Sequence, residues 1–355
     1  MPVIEPQSVP DFDHLPPVEG MPQGCAWGIF DGQDGKKDLV GTLNFLTPTV
    51  VREAAKEVRD GVSISLNWPL NALSWFGPFG RKKPEHRILY LPDTMANVPK
   101  HASAWDDELD INTQSSSQWD SLCHVQHLPS GLAYNGFRPD RAALANTSST
   151  AENTLPTLDH WHSRGAMVAR AVLLDYKAFT EQTSLAFDPL AGDAVSVSDL
   201  EAAARHFDLV FRPGDVLIIR LGTTEALDGI VAELGPEAGQ KSVAERSRGR
   251  CSGVVGSEET ARWLWNHRFA AVASDTLALE VVPPILADGT AGGMEHLILH
   301  HYMLSLFGMS IGELWDLAAL SRHCAAADRY SFMLTSAPLN HPCLIGSPPN
   351  AVAIF

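Results

Sequence analysis

The residues best equipped for chemistry lie in Gln114-Ser-Ser-Ser-Gln118-Trp-Asp120-Ser-Leu-Cys-His124-Val-Gln-His127. Asp120 and His124 stand four residues apart, with two carboxamides just upstream. On a helix they share a face; in a loop at a strand end they can still converge on one point. A carboxylate with an imidazole serves either of two needs, ligating a divalent cation or moving protons near neutral pH. The same pair can also do no more than order a loop through a hydrogen bond. A second cluster is Glu295-His296-Leu-Ile-Leu-His300-His301, with Glu313 downstream. His296 and His300, spaced i,i+4, point the same way on a helix and could grip one ion. The acid of an HExxH zinc site is missing, so these imidazoles and Glu313 would instead complete a site begun at Asp120. Ser310-Ile-Gly-Glu313 also fits a capping box, which would make Glu313 a helix cap. A third cluster, Ala273-Ser274-Asp275-Thr276 with Glu280, follows an apolar run, and α/β sheets bind ligands outside the carboxyl ends of their strands. The alternative there is that Asp275 bonds the backbone of the next turn. Trp119, beside the first cluster, is expected to wall a pocket for an apolar or aromatic substrate.

These residues need a scaffold, and the patterning supplies one. Thr49–Arg59 reads as a helix ended by Gly61, and Val62–Trp68 and Arg87–Leu91 read as strands. Val168–Asp175, Asp215–Leu221 and Ala270–Ser274 are near-continuous apolar runs, the pattern of strands buried on both faces. Ser198-Asp-Leu-Glu201 fits a capping box opening a helix to about Phe207, and Ser257 opens a helix through Trp265. Glu295 to about Asp328 reads as largely helical, broken near Gly308. Strands alternate with helices through one domain, so the class is α/β, or mixed α+β. Residues 1–26, punctuated by prolines, are expected to form an extended arm lying on the domain or on a neighbouring subunit, with 27–355 as one domain.

Composition narrows the function. The 355 residues carry 26 Lys+Arg against 42 Asp+Glu, a net charge of -16, which disfavours nucleic-acid binding. No apolar run approaches a membrane span, and no secretory signal is visible. Five scattered cysteines, never in a CxxC pair, read as reduced thiols of a cytoplasmic protein. There is no GxSxG, P-loop or GxGxxG signature.

Taken in chain order, the segments resemble the cyclase family of metal-dependent hydrolases, which includes bacterial kynurenine formamidases and isatin hydrolases. The family motif HxGTHxDxxxH aligns on Gln114 to His124. Trp27-Gly28, Gly41-Thr-Leu-Asn44, Arg164 to Asp175, Pro213-Gly-Asp215, Ala273 to Thr276, His300/His301 through Gly308 to Glu313, and Ser347-Pro-Pro-Asn350 are similar to its longer members. The resemblance runs from about Trp27 onward. It implies a swivelling β/β/α-type fold, usually homodimeric or higher, and a divalent metal that activates water against an amide or related carbonyl. By position it implies Asp120, Gln118, Glu313 and either His300 or His301 as metal ligands, and His124 with Asp120 as catalytic residues. Both motif histidines are glutamines here, Gln114 and Gln118, and the intervening Gly-Thr is Ser116-Ser117. A carboxamide oxygen suits harder ions such as Mn²⁺ better than Zn²⁺, so one divalent metal, Mn or Zn, is expected.

The expectation is a hydrolase of a C–N (amide or lactam) or C–O (lactone or ester) bond in a small cyclic or aromatic molecule. Trp119, Gln114, Asp275 and Glu280 are expected to contact the substrate. The alternatives are a metal-independent cyclase or dehydratase on the same scaffold, and a non-catalytic ligand-binding relative.

Overall fold

The computed structural model describes residues 4–75, 80–286 and 288–355; residues 1–3 of the arm lie outside the described residues. A mixed α/β domain is built on a nine-stranded sheet. In spatial order its strands are Ser63–Ser65, Ala351–Ile354, Ser331–Ser336, Met167–Asp175, Val216–Arg220, Ala271–Ser274, Ile311–Glu313, Gln118–Asp120 and Gly346–Ser347. Met167–Asp175 through Ile311–Glu313 run parallel, and the flanking pairs are antiparallel.

The apolar runs foreseen as doubly buried strands are that. Every residue of Met167–Asp175, Val216–Arg220 and Ala271–Ser274 except Val168 is buried. Alternate side chains feed opposite cores. Leu174, Leu217, Ile219 and Val272 join Phe12, Trp265 and Phe307 on one side; Ala171, Leu173, Ile218 and Ala273 join Trp119, Trp161, Trp315 and Phe355 on the other.

The sheet is rolled. Ser347, on one edge strand, and Ala351, on the strand next to the opposite edge, are separated only by Pro348-Pro349-Asn350, a reach of roughly 14 Å at most. Side chains seal the closure: Trp119 Nε1 donates to Ser336 Oγ at 2.9 Å, and Ser336 Oγ donates to the Pro349 carbonyl at 2.5 Å. The second core is therefore wrapped by the sheet itself.

The arm packs on its own chain. Val9, Phe12 and Leu15 are buried, the Phe12 N–H donates to Asn266 Oδ1 at 2.8 Å, Trp265 Nε1 donates to the Pro10 carbonyl at 3.0 Å, and Arg268 donates to the Val9 carbonyl at 2.7 Å.

Several local expectations shift. The first helix is Pro48–Ala54, capped by Thr47 and finishing in a tighter turn over Ala55–Glu57. The capping box falls on Ser196 and Asp199, two residues before Ser198–Glu201, because Ser196 is the last extended residue and exchanges bonds with Asp199. The strand expected over Arg87–Leu91 runs instead over Glu85–Tyr90, with Leu91 opening a short helix, and pairs with Trp105–Asp110 in a separate ribbon. The late helical segment ends at Gly308, whose φ of +71° suits glycine. Ser310–Glu313, expected as a capping box, is instead part of the sheet. A Cβ on Gly312 would lie 2.7 Å from Ala273 Cβ and 3.0 Å from Trp119, so the glycine is what lets this segment close against its neighbours. Helix resumes at Ala318–Ala327. Among the described residues no helix is long and apolar enough to cross a membrane.

Candidate active site

The site is assembled where three short strands meet at the far side of the sheet. Glu313 pairs with Gln118, Gly312 with Trp119, and Gly346 with Asp120. Opposed residues share a face and successive residues alternate. Gln118, Asp120 and Glu313 thus project together, while Trp119 projects the other way. Expected to wall a substrate pocket, Trp119 is fully buried in the rolled core, its ring centroid 5.5 Å from Trp161 and 5.0 Å from Trp315.

Asp120 Oδ1 accepts a 2.6 Å hydrogen bond from Gln114 Nε2. The same amide lies 3.3 and 3.5 Å from the two ring nitrogens of His124, so Gln114 stands between the carboxylate and the imidazole. Gly346 makes room for it, since a Cβ there would sit 2.4 Å from Gln114 Cγ. Gln118 Nε2 donates to Glu313 Oε2. His300 Nε2 lies 3.3 Å from Glu313 Oε1, and Asp120, His300 and Glu313 offer ligand atoms that all lie within 4.8 Å of one another. All three are buried, whereas His124 is partly exposed at the rim.

Glu280, expected to contact the substrate, is buried and turned to His300. It accepts from His300 Nδ1 at 2.7 Å and from the backbone N–H groups of His300 and Leu299 at 3.0 and 3.2 Å. It fixes the ring so that Nε2 faces Glu313. Asp275 likewise turns to backbone, though not to that of its own following turn: Leu221 N–H and Gly222 N–H, at the end of the neighbouring strand, donate to its two oxygens at 2.8 and 2.6 Å. His301 points elsewhere, edge-on to His127 with centroids 6.1 Å apart, so the structure brings His300 rather than His301 to the cluster.

Burial raises the Asp120 carboxyl to about 6, with His124 pulling it down and Glu313 pushing it up. Burial alone would lower His300, but its bonds to Glu280 and Glu313 outweigh that and raise it to about 10. His300 thus bridges two acidic side chains, Nδ1 to Glu280 and Nε2 to Glu313.

Two buried acceptors here have no donor, Asp120 Oδ2 and Gln118 Oε1. Buried polar atoms are normally satisfied, and two unpaired oxygens beside Glu313 and His300 Nε2 make a donor set that fits a divalent cation. Three oxygens and one imidazole suit a hard or borderline ion. Glu280 on the far nitrogen of His300 is the outer carboxylate that metal-binding histidines usually have.

Some contributors were not anticipated. Arg81 Nη1 donates to the Gln114 carbonyl at 2.8 Å. Ser117 Oγ accepts from the Trp68 N–H and donates to the Leu314 carbonyl, both at 2.7 Å, and Ser116 Oγ donates to the Pro69 carbonyl at 2.9 Å. The Ser116-Ser117 pair therefore ties the loop after Trp68 under the site. Its place in the motif was the available signal; Arg81 offered none.

A sequence model of the family described as "Putative cyclase" matches residues 46–281. No curated protein matches the chain significantly. Among solved structures, one described as a novel cyclase has a TM-score of 0.72 at 28% identity, covering 93% of this chain and 99% of its own. Two isatin hydrolases A share the fold at lower identity. That from Ralstonia solanacearum has a TM-score of 0.50 at 14% identity, covering 87% and 98% of the two chains. That from Labrenzia aggregata, bound to benzyl benzoate, has 0.51 at 12% identity, covering 84% and 94%. The family match spans more than half of the sequence and takes in the strand that carries Gln118 and Asp120, and on that ground the chain belongs to the cyclase family.

Proposed function

We propose that this chain is a metal-dependent hydrolase that opens a C–N or C–O carbonyl bond, amide, lactam, lactone or ester, in a small cyclic or aromatic molecule. One observation carries the reading: Asp120, His300 and Glu313 converge within 4.8 Å around two buried oxygens that lack donors. The isatin hydrolases among the structural relatives agree with it. Asp120, Glu313, His300 and the Gln118 carbonyl would hold one divalent ion, with Mn²⁺ favoured over Zn²⁺ by the oxygen-rich set. When bound, such an ion polarises a carbonyl and acidifies water.

The chain's own residues do the rest. Glu280 keeps His300 Nδ1 occupied, so that Nε2 alone faces the cluster. Gln114 holds Asp120 through one oxygen and leaves the other free. His124, at the partly exposed rim, takes a proton from water and returns it to the leaving nitrogen or oxygen. The free, buried state of all five cysteines agrees with a cytoplasmic setting.

A second reading has its own observation. His300 already pairs with Glu280 and Glu313, so these three groups have partners within the chain itself. Asp120 and His124 would then act as the acid–base pair of a cyclase or dehydratase.

Elemental analysis of tag-free protein purified without chelator separates the two. The hydrolase reading expects about one equivalent of metal, lost in Asp120→Asn, with turnover of amides, lactams or lactones that stops on chelation. No metal and no uptake of added Mn²⁺ or Zn²⁺ would sink it in favour of the second.

A further inference from the structure

A second cavity, of about 980 Å³, opens elsewhere in the domain, and none of Gln114, Gln118, Asp120, His124, His300 and Glu313 lines it. Thr42, between its lining residues Val40 and Asn44, donates to the Ala270 and Gly308 carbonyls. Those carbonyls come just before the Ala271–Ser274 and Ile311–Glu313 strands, so this wall of the cavity sits where the two strands begin, whereas Glu313 ends one of them. Inside and mouth differ in chemistry. Phe30 and Val40 are buried in the wall, with Phe137 half-buried beside them, while Lys36 and Lys37 stand exposed at the mouth. In a chain of net charge -16 their state is distinctive. Lys56, Lys82, Lys100, Lys177 and Lys241 each pair with an acid, but Lys36 and Lys37 form no ion pair among the described residues. Lys37 instead donates to the Asn135 carbonyl at 2.7 Å and lies 5.2 Å from the centre of the Phe137 ring. The acids nearby are engaged with backbone and neutral groups. Asp38 accepts from the Val40 and Gly41 N–H groups, Asn44 Nδ2 and the Tyr134 hydroxyl at 2.6 to 3.1 Å, and Asp34 Oδ1 accepts from the Lys36 backbone N–H at 3.1 Å. The wall also holds a polar atom in want of a partner: His160 is 8% exposed and its Nε2 has no hydrogen bond, where buried polar atoms are normally satisfied. Burial holds that imidazole below its usual pKa, Lys36 adding to the effect against Asp159, the Leu155 carbonyl and Asp38, so the ring is neutral near pH 7.

We propose that this cavity binds a small aromatic acid bearing a ring hydroxyl, distinct from whatever the Asp120 cluster acts on. The ring lies against Phe30, Val40 and Phe137, the carboxylate meets the Lys36 and Lys37 ammonium groups at the mouth, and the hydroxyl satisfies His160 Nε2. This goes beyond the hydrolase reading and does not depend on it. The lining selects the class. A bare inorganic anion would leave the apolar wall against water, and a neutral arene would leave both ammonium groups without a counter-charge. An aromatic carboxylate answers both, and charge-assisted bonds to its oxygens are the stronger kind. The size agrees, since small-molecule sites span roughly 300 to 1,000 Å³ and combine apolar walls with a few placed polar groups.

The test is equilibrium dialysis of the intact chain against 6-hydroxy-2-naphthoate. Saturable binding of one equivalent is expected, about tenfold or more tighter than that of 2-naphthol, which lacks the carboxylate, and tighter than that of 2-naphthoate, which lacks the hydroxyl. The double variant Lys36→Gln/Lys37→Gln, at two exposed positions, should lose about tenfold or more in affinity with an unchanged circular dichroism spectrum, while Asp120→Asn keeps the wild-type affinity. No saturable binding, an affinity matched by either comparison compound, or an affinity untouched by the double variant overturns the proposal. Loss of binding in Asp120→Asn also overturns it, because the acid would then sit at the Asp120 cluster. One readout needs no variant: in the native chain added salt should weaken the hydroxynaphthoate and leave 2-naphthol unchanged, and equal salt dependence of the two overturns the role of the lysines. Turnover enters none of these measurements, so their outcome is separate from that of the hydrolase reading.

Discussion

Two regions of this sheet bury acidic side chains, and they handle them in opposite ways. Beneath the Met167–Asp175 strand, Arg170 donates to Glu57 at 2.9 Å and to Asp215 at 2.5 Å. Ser331 adds a bond to Glu57, and the Arg212 N–H one to Asp215. Both oxygens of Glu57 and Oδ2 of Asp215 have partners. At the other end Asp120 and Glu313 are as deeply buried, yet Asp120 Oδ2 is the one buried carboxylate oxygen among the described residues with no hydrogen bond. The first cluster spends its polar atoms on holding strands together. The second leaves acceptors unspent, as a ligand site must.

The largest effect that distinguishes the two should come from Arg170→Ala, which removes the buried cation that Glu57 and Asp215 share and leaves Glu57 only longer contacts to Arg59, Arg212 and Arg329. Denaturant unfolding should show a loss of about 3–5 kcal/mol. Asp120→Asn should instead change stability by no more than about 1 kcal/mol while abolishing metal uptake, since it removes one of two crowded like charges. Equal destabilisation by both variants would erase the contrast. Next, His124→Ala should lower kcat by about a hundredfold on any substrate found, with the melting temperature unchanged. Undiminished turnover would remove its role as proton carrier. Glu280→Gln should weaken metal binding by about ten- to a hundredfold, read by competition with a chromophoric chelator; full affinity would mean that His300 needs no orienting carboxylate. The smallest change belongs to Trp119→Phe, which loses its bond to Ser336 and about 1 kcal/mol of stability, leaving KM as it was. A shifted KM would return Trp119 to the substrate.

Much of the chemistry was legible because it is local. Gln114, Gln118, Asp120 and His124 fall within eleven residues of sequence, and their types alone suggested a site. The three buried strands were legible from their unbroken apolar runs. What was hidden depended on partners distant in the chain. Glu280 orients His300 across twenty residues of irregular backbone, which no periodicity reports. Glu313 looked like a helix cap because Ser310 stands three residues before it; only pairing with Gln118 and with the Ala271–Ser274 strand makes it part of a sheet. Trp119 is the instructive miss. Once Gln118–Asp120 is a strand, a period of two sends the tryptophan away from its neighbours, but three residues are too few for the alternation to declare itself.

The rolled sheet has a consequence for how the protein is made. Gly346–Ser347 lines the edge beside Gln118–Asp120, and Ala351–Ile354 is inserted between Ser63–Ser65 and Ser331–Ser336. Both are translated after every other strand of the sheet. While these residues remain inside the ribosome, two strands formed much earlier lack a neighbour, and Gly346 is not yet in place beside Gln114. Emerging chains should therefore wait in a half-closed state with unpaired strand edges exposed, and that interval is when nascent-chain chaperones would matter most.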